Sequence, residues 1–145
     1  MRFLDSNVLL YSVSGDPKDA QKAAIAVGLL QSSDLGLSAQ VLQEFYVQAT
    51  RATRPHRLPH EKAKAFIESW LRFPVQETTV DIVRAAITSS DRFQISYWDA
   101  AIIEAARALG CKEVLSEDLN AGQSYGGVRV VNPFVAKRRT TNGNR

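Results

Sequence analysis

Four acidic residues stand where a carboxylate is costly unless it is put to use. Asp5 directly follows the apolar pair Phe3-Leu4, and Asp118 lies just beyond Val114-Leu115. Glu44 sits between Val41-Leu42 and Phe45, and Asp99 separates Tyr97-Trp98 from Ala100-Ala101-Ile102-Ile103. A carboxylate in such apolar company requires a cation, a hydrogen-bond donor or water. Taken singly, each has an ordinary explanation. Asp5 can cap the helix after it, Asp99 can complement a helix dipole, Glu44 can be a solvated flank residue and Asp118 a turn residue. The conjunction is what carries information.

The elements that must position these acids are read from periodicity and punctuation. Arg2-Phe3-Leu4 is a short strand ending at Asp5, and a short helix follows from Asn7 to Ser12. Asp16-Pro17 marks a new helical start, with proline at the first position, and the Ala-rich stretch beyond it runs to Leu30. Leu35-Gly36-Leu37 is a second strand. Ser38 caps a helix that buries Val41, Leu42, Phe45, Tyr46 and Ala49. After a basic, proline-containing loop from Arg51 to Pro59, a helix carries Ala63, Phe66, Ile67, Trp70 and Leu71 on one side. A weakly marked strand near Val75 precedes a helix opened by Thr79, whose inner face is expected to use Val80, Val83, Ala86 and Ile87. Ser96 precedes the helix Tyr97 to Leu109, which Gly110 stops. Val114-Leu115 and Val128 to Val131 are the last strands. Strands alternating with helices predict an α/β domain with a central, mostly parallel sheet flanked by helices. Ligands in such sheets gather at the carboxyl ends of strands, where Asp5 and Asp118 lie.

Composition sets the frame. The chain has 145 residues, 45% hydrophobic and 23% charged, as expected of one globular domain. Residues 1–134 are read as that domain and residues 135–145 as a loose basic tail. No apolar run approaches the roughly 18 residues that would span a bilayer, and no secretory signal or membrane association is expected. The single cysteine, Cys111, excludes an intramolecular disulfide and a cysteine zinc cage; a reducing, cytoplasmic setting is the expectation. His56 and His60 lack metal-ligand spacing. The net charge is +3 and the pI about 9.2, so the acids stand in a chain that is basic elsewhere. Arg51, Arg54 and Arg57 cluster in one loop, and Lys137, Arg138 and Arg139 in the tail; either group could hold phosphates of a nucleic acid. Tyr46, Tyr97 and Trp98 could stack on bases, but core packing is the expected role, above all for Trp98, which is at helical spacing with Ile102.

Four segments resemble the motifs of PIN domains. Phe3-Leu4-Asp5-Ser6-Asn7-Val8 is similar to the family's opening motif, Gln43-Glu44-Phe45 to its mid-chain glutamate, Tyr97-Trp98-Asp99-Ala100 to its third acidic motif, and Leu115-Ser116-Glu117-Asp118-Leu119 to its last. The order and spacing hold from about Met1 to Pro133, and the Asp-Ser-Asn-Val opening looks most like VapC-type toxins of bacterial toxin–antitoxin pairs. The resemblance implies a metal-dependent endoribonuclease, using Mg²⁺ or Mn²⁺, with Asp5, Glu44, Asp99 and Asp118 gathered at one sheet edge. It implies Asp5, Asp99 and Asp118 as metal ligands, with Glu44 orienting water or completing a second metal site. Asn7, Ser116 and Asn120 would support them by hydrogen bonds. It further implies an RNA substrate, a cognate antitoxin and a homodimer. The chain departs from the family at Asn120, where a further acid is usual, and this puts a second metal in doubt. Without a cation the acids repel: two unit charges ~5 Å apart cost roughly 3 kcal/mol at an effective dielectric near 20.

Three other classes fit less well. A PIN-like module that binds RNA or protein without cutting would be expected to have lost some of the acids. An aspartyl-nucleophile phosphatase would want a second aspartate two residues after Asp5, where this chain has Asn7. A dinucleotide-binding domain would need a glycine-rich turn after the first strand.

Overall fold

The computed structural model describes residues 1–135. Thirteen short elements alternate along them. They are β1 (Arg2–Leu4), α1 (Ser6–Ser12), a 3₁₀ turn (Pro17–Asp19), α2 (Ala20–Leu30), β2 (Leu35–Ser38), α3 (Ala39–Ala49), α4 (His60–Trp70), β3 (Val75–Gln76), α5 (Val80–Phe93), α6 (Tyr97–Ala108), β4 (Glu113–Leu115), β5 (Ser124–Tyr125) and β6 (Val128–Val131). The sheet has six strands in the order β3-β2-β1-β4-β6-β5, all parallel to their neighbours except β5, which pairs antiparallel to β6. The α/β architecture expected from the sequence is present. Among the described residues no helix is long and apolar enough to cross a membrane. The basic tail lies, from residue 136 onward, outside the described residues.

Local chemistry explains the helix starts. The hydroxyls of Ser38, Thr79 and Ser96 accept from the backbone N–H groups of Val41, Ile82 and Asp99, each three residues on, satisfying donors that a helix leaves open. Asp16 caps the 3₁₀ turn by accepting from Lys18 N–H ahead of α2. Between β5 and β6 the chain reverses over Gly126 and Gly127, both at positive φ, the backbone that a two-residue hairpin demands. The sequence reading missed β5, which has two residues and sits in a glycine-rich stretch.

The sheet's strands are sealed by Phe3, Leu4, Leu35, Leu37, Val114 and Val130, and Val8, Val41, Phe45 and Ile103 pack on them from the helices, all fully buried. Helix α6 pairs with α5 and lies across β2, β3, β4 and β6. Three helical faces differ from expectation. In α5 the buried residues are Ile82, Ala86 and Ser89, while Val80 and Ile87 are exposed. In α4 Ala63 and Trp70 are buried, whereas Phe66 and Leu71 stay open. Trp98, expected in the core, is 66% exposed, because Ala100, Ala101 and Ile103 turn α6's inner face away from it.

One half-buried ion pair fastens this layer. Glu104 is buried and accepts from Ser89 Oγ and from Arg107 Nε at 2.9 Å. The Arg107 guanidinium reaches on to the carbonyls of Tyr125 and Gly126, at 2.7 and 2.5 Å, tying α6 to the β5–β6 hairpin. Removing one partner of such a pair leaves the other charge unpaired. Arg107→Ala is therefore expected to lower the unfolding free energy by about 2–3 kcal/mol in urea titrations. Arg84→Ala, which breaks only an exposed pair with Asp81, is expected to change it by less than about 0.5 kcal/mol.

Candidate active site at the carboxyl ends of β1 and β4

The chain leaves β1 toward β2 and β3 on one side and returns through β4 and β6 on the other. The adjacent ends of β1 and β4 are thus a switch point, where α/β sheets bind ligands. The register pairs Leu4 with Leu115, and the Asp5 N–H donates to the Leu115 carbonyl at 3.0 Å. Asp5 and Ser116, each one residue past its strand, are neighbours for that reason.

Asp5 is the buried centre of the site, with 7% of its surface exposed. Its Oδ1 accepts from Ser6 N–H at 2.7 Å, and its Oδ2 accepts from Ser116 Oγ at 2.8 Å. Burial pushes its carboxyl up to about 6 from 3.8; the two hydrogen bonds oppose the rise, and the charges of Glu44 and Asp118 add to it. Glu44, half-buried on α3, has both oxygens held: Ser6 Oγ donates to Oε2 at 3.0 Å and Gln40 Nε2 to Oε1 at 2.9 Å. Gln40 Nε2 also donates to the Trp98 carbonyl at 3.2 Å, which ties Glu44 to the first turn of α6 where Asp99 lies. Asn7 gathers the β4 side. Its Nδ2 donates to Ser116 Oγ and to Asp118 Oδ2, both at 3.2 Å, and its Oδ1 accepts from Glu117 N–H at 3.2 Å. Ser116 Oγ also accepts from the N–H groups of Asp118 and Leu119.

Hydrogen bonds connect three of the four acids, Asp5, Glu44 and Asp118, and the network stops one residue short of Asp99, at the Trp98 carbonyl. The charges of Glu44 and Asp118 both act on the Asp5 carboxyl. Asp99 is joined only through Gln40 and the backbone of Trp98, and its charge is felt at Tyr125, whose hydroxyl is pushed up by burial and then by Asp99. Asn120, proposed as a supporting residue, faces that tyrosine and lowers it. Among the described residues no three Asp, Glu, His or Cys side chains are gathered tightly enough to form a metal cage by themselves.

Glu117 serves a different purpose from Asp118. Lys22 Nζ donates to its Oε2 at 2.6 Å and Tyr11 OH to its Oε1 at 2.6 Å, and these partners outweigh desolvation to hold its carboxyl below the ordinary range. Sequence reasoning missed Ser6, Gln40, Tyr11 and Lys22. Gln40 was detectable as the residue one helical turn before Glu44, the spacing at which side chains meet. Lys22 carries no local signal, because it meets Glu117 from 95 positions away. Of the loop arginines, Arg54 lines a groove of about 270 Å³ with Asn7, Tyr11, Glu117 and Asp118, while Arg51 and Arg57 are exposed.

A family model described as PIN domain matches residues 2–123. Among solved structures, the chain resembles VapC20 of Mycobacterium tuberculosis, a sarcin–ricin loop cleaving toxin, at 22% identity and a TM-score of 0.64, over 81% of this chain and 92% of that one. It resembles a chain of a toxin–antitoxin complex from Klebsiella pneumoniae at 17% identity and 0.66, over 92% and 98%. A chain of the DNA-bound VapBC complex of Salmonella typhimurium is similar at 18% and 0.61, over 89% and 95%. No curated protein sequence matches the chain.

The raised Asp5 carboxyl has a consequence for stability. Below about pH 4 the group is protonated folded or unfolded. Between about 4 and 6 only the folded state keeps the proton, so stability falls as pH rises through that window and stays lower above it. The Asp5→Asn variant lacks this penalty. In urea titrations with EDTA, its stability relative to the parent protein is expected to rise by roughly 2–3 kcal/mol between pH 4 and pH 7.5. A difference that stays flat with pH would show that Asp5 ionises freely.

Proposed function

The chain belongs to the PIN domain family, and from that membership we propose that it is a metal-dependent endoribonuclease, the toxin of a toxin–antitoxin pair acting in the cytoplasm. The observation that carries this reading is the loaded Asp5 carboxyl. It is nearly sealed from water, flanked by the charges of Glu44 and Asp118, and held ionisable by only two donors. Such a group is relieved by a small dication. Mg²⁺ or Mn²⁺ suits it, because these ions need only one or two carboxylates and keep several waters, so the lack of a ready three-ligand cage does not oppose the fit. Asp5, Asp99 and Asp118 would hold the ion. When bound, it supplies a water of lowered pKa and positive charge for the phosphate oxygens.

The chain's own residues then have distinct tasks. Ser116 fixes one Asp5 oxygen and leaves the carboxylate a single orientation. Asn7 aims Asp118 and anchors the turn carrying it. Glu44, its oxygens steered by Ser6 and Gln40, is the acceptor that orients the attacking water. Of the three loop arginines, Arg54 alone lines the groove beside Asp118 and is placed to hold an RNA phosphate by charge, and the exposed Trp98 beside Asp99 is available for base stacking. An apolar groove of about 550 Å³ over Val13, Leu58 and Phe66, with Lys62 on its wall, supports an antitoxin as protein partner. The exposed Val80 and Ile87 on α5 support a second copy of the chain. A non-cleaving RNA-binding module is the second reading, favoured by the loose spacing of the acids.

With Mn²⁺ and a panel of structured RNAs, cleavage is expected from the parent protein and not in EDTA. Asp5→Asn and Asp99→Asn should each lose activity about 100-fold or more, and Ser116→Ala about 10- to 100-fold, with unchanged circular dichroism. Full activity in either Asp variant would remove the assignment. RNA binding with no Mn²⁺-stimulated cleavage would establish the second reading.

A further inference from the structure

The groove beside Asp118 holds an asymmetry of charge. Its walls include Asp19, Glu117 and Asp118, yet only part of that negative charge is open. Glu117 is cancelled by Lys22, whose ammonium lies 2.6 Å from its carboxylate, and both its oxygens are occupied. Asp19 Oδ2 is engaged by Ser14 Oγ at 2.7 Å. Arg54 is the half-buried cation of the groove and has no ion-pair partner among the described residues.

Its position is built rather than incidental. The loop from α3 to α4 is closed by hydrogen bonds from Leu58 N–H to the Ala49 carbonyl at 2.8 Å and from Arg54 N–H to the Arg51 carbonyl at 3.0 Å. His56 takes positive φ to complete the bend, a backbone uncommon for a side-chain-bearing residue. Leu58 packs against the core. The loop thereby turns one of its three arginines into the groove and leaves the other two outside.

We propose that Arg54 forms a phosphate subsite that seats a backbone phosphate flanking the scissile one, and that the Lys22–Glu117–Tyr11 cluster cancels the charge that would otherwise repel the strand there. A planar guanidinium matches two phosphate oxygens at once, and the same groove is lined by Asp118, which Asn7 and Ser116 link to Asp5, for the adjacent, cleaved phosphate. The inference rests on the nuclease reading and makes Arg54 a substrate-positioning residue, distinct in kind from Arg51 and Arg57.

The test compares the full chain with Arg54→Gln, Arg54→Lys and the double variant Arg51→Gln/Arg57→Gln, using single-stranded RNA and Mn²⁺. A contact made equally before and during reaction affects KM and spares kcat. Arg54→Gln is expected to raise KM about tenfold with kcat within about threefold. It should also flatten the salt dependence of kcat/KM by about 0.7 in logarithmic slope. Arg54→Lys should recover part of the loss, and the double variant should shift KM less than about twofold. Equal KM in Arg54→Gln and the parent overturns the proposal, as does an equal loss in the double variant, which would mean a diffuse cationic surface. If the parent protein cuts no RNA, the nuclease reading fails separately. Anisotropy of a fluorescein-labelled single-stranded RNA then decides the subsite: about tenfold weaker binding in Arg54→Gln alone supports it, and equal affinities reject it.

Discussion

A carboxylate nearly closed off from water at the end of a central strand constrains everything around it. Asp5 has two donors, a backbone N–H one residue on and a serine hydroxyl 111 positions away. The second exists only because β1 and β4 are adjacent, parallel and paired Leu4 to Leu115. A one-residue slip would turn Ser116 to the other face and leave the carboxylate with one donor against two neighbouring charges. The sheet register and the site are thus a single specification. Residues of the candidate site also hold the order of strands, and residues that look structural, such as Leu115, decide where an Asp5 oxygen points.

Around that centre the hydrogen bonds divide labour among side chains of similar chemistry. Two acids adjacent in sequence, Glu117 and Asp118, are sent opposite ways. Glu117 turns to Lys22 and Tyr11 and ceases to count as open charge, while Asp118 is kept exposed and aimed by Asn7. Asn7 achieves this with a donor and an acceptor on one amide, which an aspartate at that position would lack when ionised. An aspartate there would also add a third like charge to Asp5's surroundings. The residue that speaks against a phosphatase also spares Asp5 a further like charge.

Much of this was legible in the sequence where the controlling physics is local. Ser38, Thr79 and Ser96 announce helix starts because a cap needs only its own next three residues. The strands around Asp5 and Asp118 announce themselves by short apolar runs. What was illegible depends on partners far along the chain. Helical spacing says which residues share a face but not whether anything covers it, so Val80, Ile87, Phe66 and Trp98 were assigned to a core that does not reach them. The two residues of β5 pair with β6 only because the Gly126-Gly127 turn folds them back. Arg51, Arg54 and Arg57 are indistinguishable as letters. Their separation into one groove residue and two surface residues comes from a loop path that Leu58 and His56 define.

The same long-range dependence couples activity to folding. The contacts that build the site span 38, 109, 110 and 111 positions, so no fragment short of the closed sheet contains it. Forming these contacts brings the charges of Glu44 and Asp118 to bear on Asp5, which opposes folding in neutral solution, and the proposed dication, binding only the assembled site, would offset that opposition by mass action. Ligand affinity and fold stability are in this way two readings of one electrostatic quantity. A substitution that removes the charge at Asp5 relieves that opposition, and on the proposed metal reading it would weaken cation binding for the same reason. Under the proposed reading, stability gained at this strand end is function lost, because the charge that opposes folding is the charge that would hold the cation.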